Sequence, residues 1–115
     1  MGLYTSRPVR ELSAEEFRGI VDKKDIALSS HAFDHMSTTQ RKVFKEDDLK
    51  ELLWRTAPRR VHLQQNGNYA AYYRTNEGYR KVIVVIDKDK VIIVTYMDTP
   101  EIPRARIENG DTKTP

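Results

Sequence analysis

The chain has 115 residues, a formal charge of +3, 38% hydrophobic residues and no cysteine. That length and apolar content support one modest core rather than two, and the lack of cysteine excludes disulfides, thiolate nucleophiles and cysteine-ligated zinc. No apolar run approaches the ~20 residues of a membrane span, and no stretch of secretory type follows Met1, so the expectation is a soluble, cytoplasmic protein.

The first predicted element is a helix in "ELSAEEFRGIVDKK", where Ser13 and Glu16 form a capping-box pattern and Phe17, Ile20 and Val21 fall at helical spacing. "DIALSS" reads as a brief extended piece ending in two serines, either able to cap a second helix from about His31. "KEDDLKELLWRT" is a third helix, acidic in its first turn, apolar at Leu49, Leu52 and Leu53, and stopped by Pro58.

From Arg59 the period changes to two. "RVHLQQ" and "YAAYYR" flank Asn66-Gly67, and "RKVIVVID" and "KVIIVTYM" flank Lys88-Asp89, each read as a two-residue hairpin turn, with "TNEGY" as a turn between the hairpins. The predicted architecture is α+β, with about three N-terminal helices packed on a four-stranded antiparallel sheet. One domain spans 1–97, and prolines, glycine and threonines make 98–115 an irregular or flexible tail. The last two strands are apolar on both faces, so the sheet centre is expected to be covered twice, by helices and by either a loop or a second copy of the chain. A homodimer is therefore among the expectations.

Charge is uneven along the chain. Residues 1–58 hold ten Lys/Arg against ten Asp/Glu, whereas residues 59–106 hold nine against five. The excess lies in the sheet half and suits a polyanion such as RNA.

His31 and His35 stand four apart, on one helical face, with Asp34 between them. Zinc would need Asp34 or the distant His62 to complete a ligand set. The metalloprotease pattern fails because Ala32 stands where its glutamate base must be; a non-protease zinc site stays as the lesser alternative, and the expectation is no metal and no cofactor. As an acid/base group His31 is favoured over His35, because the positive end of a helix favours neutral imidazole. The plainer alternative is a capping histidine and a solvated one. Tyr69, Tyr72 and Tyr73 with Arg74 allow a base-stacking strand, against ordinary core packing. Trp54 reads as a core anchor, and Arg59-Arg60 as a basic edge or a solvated pair.

The stretch "LSSHAFDHM", with Arg41 to Val43, "EDDLKELL", "KVIVVID" and "VIIVTYM", resembles the small domains catalogued as DUF4258, which look like members of the RelE/BrnT-like group of toxin ribonucleases. The similarity covers about Ala27 to Met97, and its most specific elements are His31-Ala32 and Val94-Thr95-Tyr96. The chain departs from the pattern at His35, where the family has arginine, and in Arg41, which lies further along than the family's next arginine. The resemblance implies a RelE-like fold, a toxin-type endoribonuclease that needs no metal, and an acidic antitoxin as partner. Such chemistry needs a base for the 2′-OH, a cation for the phosphorane and an acid for the leaving oxygen. The residues expected to supply it are His31 as acid/base, Arg80 as phosphate clamp and Tyr96 as phenol, with His35, Arg41, Arg74, Lys81 and Thr95 contacting RNA. If Lys88-Asp89 is a tight turn and pairing is uniform, Val82 faces Thr95 and Arg80 faces Met97, so Arg80 and Thr95 share one face and Lys81 and Tyr96 the other. The alternative is a non-catalytic nucleic-acid-binding or dimerising module of the same fold.

Overall fold

Ser13 sets the first boundary. Its hydroxyl accepts from the Glu16 amide at 3.0 Å while the Glu16 carboxylate accepts from the Ser13 amide at 3.1 Å, so the helix starts where the capping box predicts. The computed structural model describes residues 7–34 and 46–103. Its elements are β1 (Pro8–Leu12), α1 (Ala14–Val21), β2 (Asp25–Leu28), α2 (Ser30–Asp34), α3 (Glu46–Lys50) running into a π-helical turn (Glu51–Arg55), β3 (Arg60–Gln64), β4 (Tyr69–Arg74), β5 (Tyr79–Asp87) and β6 (Lys90–Thr99).

All six strands join one mixed sheet in the order β1-β3-β4-β5-β6-β2, antiparallel throughout except that β2 runs parallel to β6. This corrects the expected architecture of three helices on a four-stranded antiparallel sheet. The molecule is mostly sheet, and the helices are short covers. The two strands that enlarge the expected sheet, β1, which the sequence reading lacks, and β2, which it makes a brief extended piece outside the sheet, have weak local signals. "PVREL" carries a proline and two charges, which edge strands tolerate, and "DIAL" is four residues long and pairs with a strand more than sixty residues downstream. β1 and β2 point the same way at opposite edges of the sheet, so the connection through α1 crosses its whole width.

That crossing defines the main core. Leu12, Val61, Ala71, Val82 and Tyr96 are register partners in one row across the sheet, and they pack with Phe17, Val21, Ala32, Leu49 and Leu53 from the helices. Trp54 anchors the π-helical turn to α1 by donating Nε1–H to the Val21 carbonyl at 3.0 Å. On the opposite side Ala70, Tyr72, Ile83 and Val94 form a second buried cluster, against which Ile102 packs. The doubly apolar strands are thus covered twice, and the second cover includes the chain's own segment beyond β6. That strand ends at Thr99, past the Met97 boundary read from the sequence.

Of the two hairpin turns read from the sequence, one differs in detail and one forms as read. Asn66-Gly67 belongs to a three-residue loop: Gln64 pairs with Asn68 through a 2.8 Å amide bond, Gly67 donates to the Gln64 carbonyl at 2.9 Å, and Gly67 takes φ of 91°. Lys88-Asp89 is the expected two-residue turn, because Asp87 pairs with Lys90. Pairing then proceeds evenly from that turn as far as Val84 with Ile93, where the register shifts and Ile83 meets Thr95. Val94 is the extra residue of a β-bulge.

Candidate functional site

The bulge decides which side chains meet. Uniform pairing would set Arg80 against Met97, but the added residue sets Arg80 against Asp98 and Val82 against Tyr96. Arg80 and Tyr96 therefore share the helix-covered face, and Lys81 and Thr95 take the other, reversing the expected partition.

Arg80 donates Nε–H to the Asp98 carboxylate at 2.6 Å and Nη1–H to the Tyr96 hydroxyl at 2.7 Å, with its guanidinium carbon 4.7 Å from the Tyr96 ring centroid. The Arg80 side chain is 23% exposed and that of Asp98 62%. Burial works against the cation, but the Asp98 bond and charge and the Tyr96 hydroxyl outweigh it and hold the Arg80 pKa above its ordinary value. Since Asp98 and Tyr96 are two residues apart on one strand, a single arginine bridges both by strand geometry alone. Arg80 and Asp98, but not Tyr96, line an open cleft of about 460 Å³, with Thr75, Gly78, Tyr79 and Pro100 among others. Gly78 is required there by close approach, since a Cβ on it would stand 2.9 Å from the Thr99 carbonyl oxygen.

His31 is half-buried on α2, which packs along β6, the strand of Tyr96. β2 delivers it there: the Ser29 amide donates to the Ile93 carbonyl at 2.9 Å, and the Ser29 hydroxyl caps α2 by accepting from the Ala32 amide at 3.0 Å. His62 is on β3, three strand spacings or about 14 Å from β6, and its ring is on the face away from the helices, so it does not complete a ligand set with His31. Among the described residues no group of three His, Asp or Glu is placed to hold a metal ion. His35 and Arg41 lie outside the described residues.

The remaining expected RNA contacts gather on the second face. Arg74 lies over the Tyr79 ring at 5.5 Å and reaches its hydroxyl at 3.4 Å, while Lys81 lies 5.9 Å from the Tyr72 ring centroid. Thr95 is opposite Ile83 on that same face. Burial lowers the Lys81 pKa and raises that of Tyr72. The tyrosine strand is thus divided by alternation. Tyr73 is 1% exposed in the main core, where burial raises its pKa strongly and the nearby Arg18 charge offsets part of that, and Tyr69 packs 6.0 Å from the Phe17 ring. Only Tyr72 of the three faces the basic side.

The expected set therefore separates into Arg80 and Tyr96, with His31 on the helix beside their strand, and Arg74, Lys81 and Thr95 behind the sheet. Sequence reasoning missed Asp98, which it placed in the tail, although continuing the alternation from Tyr96 by two residues finds it. It also missed Arg60 as a structural cation: its Nε lies 3.7 Å from Glu11 and its Nη1 donates to the Pro103 carbonyl. Among the described residues no helix is long and apolar enough to cross a membrane. No family model, no curated protein and no solved structure matches the chain.

Proposed function

We propose that this protein acts on RNA as a small metal-independent endoribonuclease, with its reaction centre at the Arg80–Tyr96 end of the sheet. The observation that carries the reading is a half-buried guanidinium that lines a cleft and is fixed over a phenol behind it. A preorganised cation is what a phosphorane-like transition state needs, because no reorganisation is required when charge develops. In this reading His31 takes the proton from the 2′-OH, the 2′-oxygen attacks phosphorus, Arg80 holds the non-bridging oxygens, and Tyr96 gives its proton to the departing 5′-oxygen. The products are a 2′,3′-cyclic phosphate and a 5′-hydroxyl. The resemblance of His31-Ala32 and Val94-Thr95-Tyr96 to toxin ribonucleases adds to it, as does the basic sheet half. An acidic antitoxin that covers the basic face, and the cytoplasm as the working compartment, follow from the same reading.

Asp98 favours a second reading. Its carboxylate occupies the Nε edge of Arg80 and adds negative charge where a phosphate would approach, which suits a non-catalytic RNA-binding module. Incubating a mixed RNA pool with wild type, Tyr96→Phe and Arg80→Lys in EDTA separates the two. Cyclic-phosphate ends from wild type, reduced about a hundredfold or more in either variant, are expected of the enzyme. RNA that is bound but left intact by wild type would discard the catalytic reading and keep the module.

A further inference from the structure

Behind the sheet, on the side away from Arg80 and Tyr96, the register places Arg60, Tyr72, Lys81 and Met97 side by side in one row across β3, β4, β5 and β6. Arg74 and Tyr79 form the next row towards the β4–β5 turn. The row is basic and aromatic, and among the described residues neither Lys81 nor Arg74 has a carboxylate within ion-pair range. By contrast, Arg80 on the front face is neutralised by Asp98 at 2.6 Å, and Arg60 has Glu11 at 3.7 Å. Among the described residues, the cations of β4 and β5 that lack a carboxylate partner, Arg74 and Lys81, are therefore both on the back.

The chain's own C-terminal segment runs over this row. After β6 ends at Thr99, Ile102 is packed on the cluster of Ala70, Tyr72, Ile83 and Val94, and the Pro103 carbonyl accepts from Arg60 on β3. Four residues span about 14 Å when extended, about the distance from β6 to β3, so the segment has just enough length to cross the sheet directly. Three features fix its path: the missing side chain at Gly78, beneath Thr99 and Pro100; the Thr99 hydroxyl donating to the Glu101 carbonyl at 3.2 Å; and the Arg60 anchor. Tyr72 beneath it is only 7% exposed. Further along β3, His62 Nε2 and Gln64 Oε1 are buried with no hydrogen-bond partner among the described residues, although such groups are usually satisfied.

We propose that residues Pro100 to Pro103 are an intramolecular strap over a second RNA-binding face, and that lifting the strap uncovers Tyr72 and frees Arg60, beside Lys81 and the already exposed Met97, for single-stranded RNA. This rests on the RNA-directed reading above. Single-stranded RNA is the fitting occupant because a tyrosine flanked by cations serves a base and its phosphates together, and because a single strand lies on an open sheet as a duplex does not. Arg60 changes partner, from the Pro103 carbonyl to a phosphate, so strap and RNA exclude each other.

The test is the binding of a fluorescent single-stranded oligoribonucleotide to the full chain, to a chain ending at Thr99, and to Ile102→Asn. Residues 100–115 contain three Lys/Arg and three Asp/Glu, so removing them leaves the net charge unchanged and a gain in affinity is not a charge effect. Ile102→Asn loosens the strap within the full chain, in case the shortened one fails to fold. About tenfold tighter binding is expected in both, the equivalent of one stacked base, with the gain lost when Lys81→Gln is added. Unchanged affinity in Ile102→Asn, or a gain that survives Lys81→Gln, overturns the strap. If wild type is cleavage-competent or binds RNA through Arg80 while neither strap variant changes affinity, the strap fails and the RNA reading stands. If no form binds or cuts RNA, both fail.

Discussion

His62 shows how much a single side chain depends on its place in the sheet. It is 2% exposed on β3, register-paired with Glu11 and edge-on to Tyr72 at 6.2 Å. Burial is the main cause of its lowered pKa; the Glu11 carboxylate opposes the shift and the Arg60 charge reinforces it. Since the folded pKa lies below the ordinary value of 6.5, the unfolded chain binds the proton more readily. The stability that comes from a neutral His62 is complete above the unfolded pKa and is lost as pH falls below it towards the folded value. A falling Tm between about pH 7 and pH 5 is expected, with the slope reduced in His62→Gln. Equal slopes in both proteins would place the acid sensitivity on other groups. In the sequence His62 reads only as a remote third ligand, because alternation within "RVHLQQ" does not say which face is buried or that both are. Arg80 and Tyr96 were legible as reactive types, but their meeting depends on Val94.

At the scale of elements, legibility follows the range of the signal. The capping box at Ser13 is wholly local, and it forms as read. Ser13→Ala removes the acceptor for the Glu16 amide and is expected to cost about 1 kcal/mol of unfolding free energy, measurable by urea denaturation with an unchanged m-value. A much smaller loss would mean that α1 is held by Phe17, Val21 and the Trp54 bond rather than by its cap. Lys88-Asp89 is equally local and also forms as read. The bulge at Val94 is different, because nothing in "VIIVTYM" marks the extra residue. It becomes evident only when Tyr96 fills the main core opposite Val82 while Val94 fills the second cluster beside Ile83. β1 escaped notice, and β2 reads as extended but not as part of the sheet, for the same reason: each is too short to show a period, and its partner lies far along the chain.

For the molecule as a whole, the sheet is a partition. Arg80 and Lys81 are adjacent in sequence, and a one-site reading would group them, but alternation sends Arg80 forward to Tyr96 and Asp98 and Lys81 back to Tyr72. In the RNA-directed reading, their contributions to affinity are therefore separable. Groups without shared partners usually combine additively to within about 0.5 kcal/mol, whereas members of one cluster do not. With Arg80→Gln, Lys81→Gln and the double variant titrated against one single-stranded RNA at fixed salt, the double variant is expected to lose the sum of the two single losses. Each single change should also lower the salt dependence independently, since in that reading each removes a separate phosphate contact. A double variant no worse than the poorer single one would mean that a single strand of RNA engages both cations through one contact, wrapping the β4–β5 turn where the cleft at Gly78 and the start of the strap meet. That outcome would merge the two faces into one continuous site.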